Sequence, residues 1–528
     1  MKARMRRRAA GRVLTAMLLV ITVALVGGLA ACGKKMQTAV VAPPGKPMTL
    51  KVMEFNIENG GTQISLKQVV AAIKAADPDV VGIEEAYLNT PRIAKMAGFP
   101  YFSNSMQIVS KYPLLEPSTT GGAYTLVEVQ PGYCVALSNV HLPSNDYGPH
   151  EIRIGWSAAK VIAMENKVRM PAIQKQIEVL PAVAKTGIPV FLVGDFNSPS
   201  KLDYTQATVG TRPYMPYALD WPVSVAVLGA GFRDSFRDVY PDPVKNPGLT
   251  WPAPRPKVSG WNPDGKAPRD RIDFIYAVGP SKTVTSEIVG EKGNPAVGVQ
   301  IAPPWPSDHR AVKSTFELTP APLPVMVSVN EPLLTVGQPL IVTFHAPGAG
   351  GEKVALVTAA GDPKSAAITS QSTGAAGTIN GQLTFATDPL APGDYEAVLT
   401  DANGGAISRT PFWVQAVGAK PIITTDKSTY TKGEPIVVGW KNAPANRWDW
   451  LGVYKAAAAD PNVDYYLIWQ YTGGAIAGTL AGPVAGSLTF DQTAQGSPWP
   501  LPPGKYVVYY LVADGYKAVA KAAFTVTK

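Results

Sequence analysis

The stretch Val190-Phe191-Leu192-Val193-Gly194-Asp195-Phe196-Asn197 decides the reading of this chain. An apolar run of this kind packs inside a sheet, and it stops abruptly at Gly-Asp-x-Asn. The glycine is expected to let the backbone turn. Asp195 and Asn197, two apart on an extended backbone, then point the same way and can hold a water and a phosphate-like oxygen together. Alone, the motif reads equally as a strand followed by an Asx turn, because Asn197-Ser198-Pro199-Ser200 is good turn chemistry. Its meaning depends on partners elsewhere.

Those partners recur at strand ends. Leu50 to Ile57 reads as a strand carrying Asn56, and Val80-Val81-Gly82-Ile83 runs into Glu84-Glu85. Val135 to Val140 ends at His141. Arg271 to Tyr276 carries Asp273 near its start, and the loop Pro304 to His309 delivers Asp308 and His309 ahead of a last strand, Ala311 to Phe316. Gln107 to Pro113 reads as a further strand and turn. Between these lie helical patterns. Ser65 is an N-cap for a stripe of Leu66, Val69, Val70 and Ile73 that Asp77-Pro78-Asp79 ends. Glu151 to Ala184 is helical with a break expected near Pro171 or Pro181. Residues 198 to 268 read as loop-rich, with Trp221, Trp251 and Trp261 among prolines and glycines. Interleaved strands and helices with polar strand ends suit an α/β sandwich whose strand ends share one rim.

Such a rim suits hydrolysis of a phosphate ester. A hard divalent cation wants carboxylate oxygens, and Mg²⁺ uses few because it keeps several waters. Glu85 is the best primary ligand. Asp195 suits activation of the attacking water. Asn56, Asn197, His141 and His309 suit stabilisation of charge on the phosphoryl oxygens. Asp308 or Asp273 suits an acid that fixes a histidine tautomer. His150 and His345 are set aside as surface or core histidines, and Asp270 and Asp273 read equally as salt-bridge partners of Arg269 and Arg271.

In that order, the segments around Asn56, Ile83-Glu84-Glu85, Asn139-Val140-His141-Leu142, Gly194-Asp195-Phe196-Asn197, Arg271-Ile272-Asp273-Phe274 and Ser307-Asp308-His309 resemble the motifs of the endonuclease/exonuclease/phosphatase superfamily. The resemblance spans about residues 48–317. It implies a four-layer α/β/β/α sandwich and Mg²⁺- or Mn²⁺-dependent phosphoester hydrolysis. It further implies that Glu85 binds the metal with Asn56 close by, that His141 contacts the scissile phosphate, and that Asp195 orients or deprotonates the water. Asn197 would hold a phosphate oxygen, Asp273 would support His141, and Asp308 would pair with the site around His309, which acts on the phosphate or as base. One departure stands out: the usual Gln before the metal-binding Glu is Glu84, an added negative charge. Ser198-Pro199-Ser200 replaces the Asn-Tyr-Arg extension usual in the phosphoinositide phosphatases, which argues against that subgroup.

The 528 residues are too many for one domain. Residues 1–31 read as a signal peptide: basic residues from Lys2 to Arg12, an apolar run from Val13, then Leu29-Ala30-Ala31-Cys32, which resembles a bacterial lipoprotein signal with Cys32 as the lipidated residue. Residues 32–47 read as a tether. Of the formal charge of +9, the six basic residues of the leader account for most, so the mature chain is near +3 and charge gives no support to a nucleic-acid-binding reading. With two cysteines in the chain and Cys32 lipidated, Cys134 is left alone in an apolar run, as a buried small hydrophobe.

Past the linker Thr319 to Pro324 a repeat appears. Thr335-Val336-Gly337-Gln338-Pro339 matches Thr431-Lys432-Gly433-Glu434-Pro435, and Leu390-Ala391-Pro392-Gly393-Asp394-Tyr395 matches Leu501-Pro502-Pro503-Gly504-Lys505-Tyr506. Short alternating strands with Gly/Pro turns give two all-β immunoglobulin-like sandwiches, 323–417 and 420–528. No catalytic constellation is found there. Arg447 to Tyr454, with Tyr465-Tyr466 and Trp469, reads as core tryptophan and edge tyrosines. The expected whole is an extracytoplasmic, membrane-anchored phosphodiesterase. Its partners are a phosphoester substrate, either nucleic acid or a phospholipid headgroup, and the membrane reached through Cys32; no protein partner is suggested. Alternatives are a nuclease for extracellular DNA or RNA, a sphingomyelinase-like phospholipase, or a non-catalytic surface binding protein.

Overall fold

The computed structural model of the chain describes residues 45–117, 122–259, 262–457, 460–462, 464–474 and 483–528. The leader 1–31, Cys32 and most of the tether lie outside the described residues.

Two sheets form the amino-terminal half. In the first, strands run in the order Val299–Ile301, Ser281–Glu291, Ala311–Leu318, Met48–Asn56, Val80–Glu84, Ile108–Ser110, Tyr101–Ser103. In the second, the order is Leu114–Leu115, Thr125–Gln130, Tyr133–His141, Val190–Asp195, Asp273–Val278, Arg233–Asp234. Strand alternation sorts the side chains. Leu50, Val52 and Val80 of the first sheet meet Val135, Leu137, Phe191, Val193 and Ile275 of the second in one apolar layer. Met53, Phe55, Val81 and Ile83 face the other way, onto helices Leu66–Ala76 and Thr90–Ala97. Ala136, Val190, Leu192 and Phe274 face helices Met170–Lys185 and Pro222–Gly229. The result is four layers, helix, sheet, sheet, helix.

The same alternation places the chemistry. Asn56 and Glu84 share the parity of Val52 and Val80. His141, Asp195 and Asp273 share that of Leu137, Val193 and Ile275. All five therefore point between the sheets at one end. Register makes them lateral neighbours: Asn56 is paired with Glu84, and Asp195 with both His141 and Asp273. The sheets approach closely there because residue 82 is glycine; a Cβ would lie 2.5 Å from Asn139 Oδ1 and 2.6 Å from Val193 Cγ2.

Several sequence expectations are corrected. Gly194 is no turn: it lies within its strand, and a Cβ there would fall 1.9 Å from the Val140 carbonyl oxygen. The turn comes at Asn197, at φ 49°. The helical stretch is three helices, Gly148–Arg153, Ala158–Val168 and Met170–Lys185; the chain breaks just before Pro171, while Pro181 is carried inside the last helix. The loop-rich residues 198–268 also hold two short helices, Pro222–Gly229 and Ser235–Val239. The linker is not free: Ala321–Pro322 pairs with Cys134 and Tyr133 at the edge of the second sheet. Cys134 is buried, and burial pushes its thiol up to about 12, so it is no nucleophile.

Two β-sandwiches follow. In the first, Met326–Val329, Leu340–His345 and Asn380–Phe385 face a five-stranded sheet that includes Lys353–Thr358, Gly393–Thr400 and Ala406–Gln415. In the second, Ile422–Thr425, Ile436–Lys441 and Gly486–Phe490 face a six-stranded sheet that includes Trp450–Lys455, Ile468–Tyr471, Gly504–Leu511 and Ala518–Thr527. Phe344 with Leu356, and Trp440 with Leu451, lie in the respective cores. The repeated Pro-Gly-x-Tyr has one job in both: Tyr395 Oη donates to the Ala391 carbonyl at 2.7 Å and Tyr506 Oη to the Pro502 carbonyl at 2.6 Å.

Candidate active site

Asp195 is the centre. Its Oδ1 accepts from the backbone N–H of Asn197 at 2.8 Å, and its Oδ2 accepts from Asn197 Nδ2 at 3.1 Å and Asn56 Nδ2 at 3.0 Å. Two imidazoles reach the same oxygen: His141 Nε2 lies 3.6 Å and His309 Nε2 3.7 Å from Oδ2. Each histidine turns its other nitrogen to a carboxylate, His309 to Asp273 at 3.0 Å and His141 to Asp514 at 3.3 Å. Two Asp–His pairs thus converge on one carboxylate.

The residues around Asp195 sit where backbone conformation is costly. Glu58, Asn59, Glu85, Tyr87 and Asn197 all have φ between 48° and 57°, a left-handed region in which non-glycine residues cluster at functional sites. For Glu85 the turn brings the side chain back to the rim. Its Oε2 accepts from the Asn59 backbone N–H at 2.6 Å, and its Oε1 accepts from Asn56 Nδ2 at 3.3 Å. Asn56 therefore clamps Glu85 and Asp195 with one amide, while its Oδ1 accepts from the Glu58 backbone N–H at 3.1 Å. The amide acts here chiefly as a donor, which leaves its oxygen a lesser part as metal ligand than the sequence suggested.

One assignment from sequence is overturned. Asp273 supports His309, not His141. The reason is register: Asp273 and His141 flank Asp195 on opposite sides, so Asp273 meets the histidine arriving from the other sheet. Asp308 stands at the site around His309, as expected, though at longer range. Its Oδ1 lies 4.0 Å from His309 Nε2, and its Oδ2 accepts from Trp251 Nε1 at 3.3 Å. Asp270 pairs with neither Arg269 nor Arg271; it accepts from Tyr147 and Tyr204 hydroxyls at 2.9 and 3.0 Å. Arg271 instead joins Asp203 and Asp234.

Electrostatics divide the site. Burial works against charge on His141, but the Asp514 hydrogen bond and the nearby Asp195 outweigh it and push the imidazole up to about 10. His309 is likewise raised well above its ordinary value, with Asp273, Asp195 and Asp308 overcoming burial. Burial pushes Asp195 up to about 6, against the pull of both histidines. Beside it lies an excess of acid. Burial and Asp308 push Glu58 up to about 7 although Arg255 binds it, and burial and Glu85 raise Asp308. Glu84 and Glu54 are buried between the sheets, and burial and Asp273 raise both carboxyls well above their ordinary value. Both Glu84 oxygens lack a hydrogen-bond partner among the described residues. Burial thus works against the negative charge that Glu84 would otherwise add.

Glu85 acts on Asp308 electrostatically, and these two carboxylates beside Asn56 are of the kind a hard divalent ion would take. Asp195, Asp273 and His309 form a second group whose donor atoms lie within 4.8 Å of one another and could hold a metal ion. Glu58, Arg255, Tyr87, Trp251 and Asp514 were not found from sequence. Glu58 lies two residues past Asn56 and was within reach of the strand-end rule; Arg255 and Trp251 sit in a proline-rich loop without pattern; Asp514 is 373 positions from His141.

Residues 53–309 match the model of the endonuclease/exonuclease/phosphatase family. An uncharacterized protein of Caenorhabditis elegans is 29% identical over 290 residues, covering 51% of this chain and 91% of that protein. Among solved structures, an endonuclease/exonuclease/phosphatase from Beutenbergia cavernae is similar at 16% identity and TM-score 0.31, covering 69% of this chain and 99% of that one. A family protein from Bacteroides thetaiotaomicron is similar at 13% identity and TM-score 0.30, covering 52% and 99%.

Proposed function

From the match of residues 53–309 to the endonuclease/exonuclease/phosphatase family model, we infer that this chain is a divalent-metal-dependent phosphodiesterase. The observation that carries the reading is the convergence of two charged imidazoles and an anionic, partly basic Asp195 on one point beside an acid-rich pocket. Glu85 and Asp308, with Asn56, would hold Mg²⁺ or Mn²⁺, which when bound neutralises charge on the phosphoryl group. The chain's own residues do the rest. Asp195, held by Asn56 and Asn197, orients a water and takes its proton as the oxygen attacks phosphorus. His309, locked by Asp273, donates to a non-bridging oxygen. His141 gives its proton to the leaving alcohol as the P–O bond breaks. The products are a phosphomonoester and an alcohol, and the protons balance.

The rest of the reading rests on sequence. Leu29-Ala30-Ala31-Cys32 supports a lipid anchor at Cys32 and an extracytoplasmic location, and the shared tyrosine bond supports immunoglobulin-like kinship of the sandwiches. Radiolabelled palmitate should enter the chain and be lost in Cys32→Ala. The test of function is a panel of plasmid DNA, RNA, sphingomyelin and bis(p-nitrophenyl) phosphate, incubated with the full chain in detergent and Mg²⁺ or Mn²⁺. Turnover that EDTA abolishes is expected with at least one. Silence across the panel would sink the reading.

A further inference from the structure

Among the described residues, the carboxylate that meets His141 Nδ1 is Asp514, from the far end of the chain. We propose that the second β-sandwich completes the catalytic site, with Asp514 as the positioning residue that holds His141. This rests on the phosphodiesterase reading for its kinetic consequence, though not for the contact itself.

The sandwich is seated on the catalytic rim at several points. Trp448 Nε1 donates to the Ser105 carbonyl at 2.9 Å, Arg447 reaches the Met106 sulfur, and Asn145 Nδ2 donates to Tyr466 Oη at 3.3 Å. Gly515 lies so close to Tyr87 that a Cβ would stand 3.1 Å from its ring, and Tyr87 Oη in turn is 3.4 Å from Glu85. These contacts bring the turn Val512 to Lys517 to the edge of the site.

The turn is built to aim one side chain. Ala513 and Asp514 both adopt left-handed backbone, at φ 53° and 63°. That conformation is held from behind. Asp449, buried, accepts from the Ala513 N–H at 2.9 Å; the Asp514 N–H donates to the Trp448 carbonyl at 2.7 Å; and Trp450 Nε1 donates to the Gly515 carbonyl at 3.0 Å. Tyr471 Oη then donates to Asp514 Oδ1 at 2.7 Å, which leaves Oδ2 for His141 Nδ1 at 3.3 Å. A strained turn that is fixed this fully points to a role beyond the turn itself. Asp514 does for His141 what Asp273 does for His309: it binds Nδ1 and presents Nε2 to the reacting phosphate.

The test uses the full chain in detergent, with bis(p-nitrophenyl) phosphate at fixed Mg²⁺. Asp514→Ala should lower kcat about 100-fold, the scale of a displaced acid–base group, with KM within about threefold. Asp514→Glu should recover much of the loss, because a carboxylate returns. Tyr471→Phe, which frees Asp514 without removing it, should give a smaller fall in kcat and covers the case in which Asp514→Ala does not fold. The four histidines permit a readout independent of turnover. The imidazole N–H resonance of His141, assigned with His141→Gln, should move or vanish in Asp514→Ala and persist in Asp514→Glu. An unchanged kcat together with an unchanged His141 resonance overturns the proposal. If the unmutated chain turns nothing over, the phosphodiesterase reading fails, and the resonance alone decides whether Asp514 holds His141.

Discussion

The two β-sandwiches share a sequence repeat and diverge at one hairpin. In the first, strands Gly393–Thr400 and Ala406–Gln415 are joined through Asp401 to Gly405; in the second, Gly504–Leu511 and Ala518–Thr527 are joined through Val512 to Lys517. Asp401 serves its own turn, accepting from the Asn403 and Gly405 N–H groups at 2.8 Å each. Asp514 serves another domain. The strands behind the hairpins differ in step. Lys353 of the first is exposed where Trp450 of the second is buried, and Gly351 stands where the second has Trp448. On the second sandwich Trp448, Trp450, Tyr454, Tyr471 and Tyr509 form an apolar layer separate from the core around Trp440 and Val453. The aromatic run read from sequence as core tryptophan and edge tyrosine is thus a second layer outside the core, and it backs the rim contact. The lesson is that a scaffold repeat acquires a role by changing the outward face of one strand and the length of one turn, while the inward positions remain apolar.

The widest effect sets the scale for that comparison. Asp195→Ala or His309→Ala should each lower kcat by about 1000-fold or more, measured on whichever substrate the panel identifies. A loss at Asp514 is meaningful only below that ceiling. Retention of near-normal kcat in Asp195→Ala would move the reacting centre elsewhere and remove the reason for His141 to need a partner.

Trp448→Ala strikes the seat of the second sandwich. It removes a buried indole and its bond to Ser105, which should cost about 3 kcal/mol of stability. It should also lower kcat toward the Asp514→Ala value, because the Asp514 N–H is held by the Trp448 carbonyl in a segment that would shift. Thermal melting and kcat measured on one preparation check both; a melting shift with kcat unchanged would separate seating from catalysis.

Asp449 offers a pH signature confined to the second sandwich. Burial pushes its carboxyl up to about 6, against bonds from the Ala513 backbone and Asn446. The folded state therefore keeps a proton that the unfolded chain releases near its ordinary value of 3.8. The stability this group contributes is complete below pH 4 and is lost as pH rises through about 6, at most about 3 kcal/mol. Asp449→Asn should gain on the unmutated chain as pH goes from 4 to 7. The difference in melting temperature between the two, followed across that range, isolates the group from Asp195 and Asp270, which are raised for the same reason.

The catalytic half was legible because its signals are local. Apolar runs that stop at polar residues identify strand ends, and period-two alternation then fixes which side chains meet between the sheets. Asn56, His141, Asp195 and Asp273 follow from those rules alone. Pairing between them did not follow. Which acid holds which histidine depends on strand order, and the sequence around His141, 373 positions upstream of Asp514, carries no mark of it. Glu84 shows the same limit. Its charge was counted from sequence as added, yet burial between the sheets works against that charge by raising the carboxyl well above its ordinary value.

Asp401→Ala should have the smallest effect, and it bears most directly on the comparison. Asp401 and Asp514 occupy the same hairpin of the same repeat, and both carboxylates accept hydrogen bonds. Asp401's are to its own backbone at an exposed turn, so its removal should cost about 1 kcal/mol or less and leave kcat and KM untouched. If Asp401→Ala instead lowered kcat as Asp514→Ala is expected to, loosening either hairpin would suffice to disturb the site. The Asp514–His141 contact would then lose its special standing, and the site would depend on the rigidity of the whole tandem rather than on one aimed carboxylate.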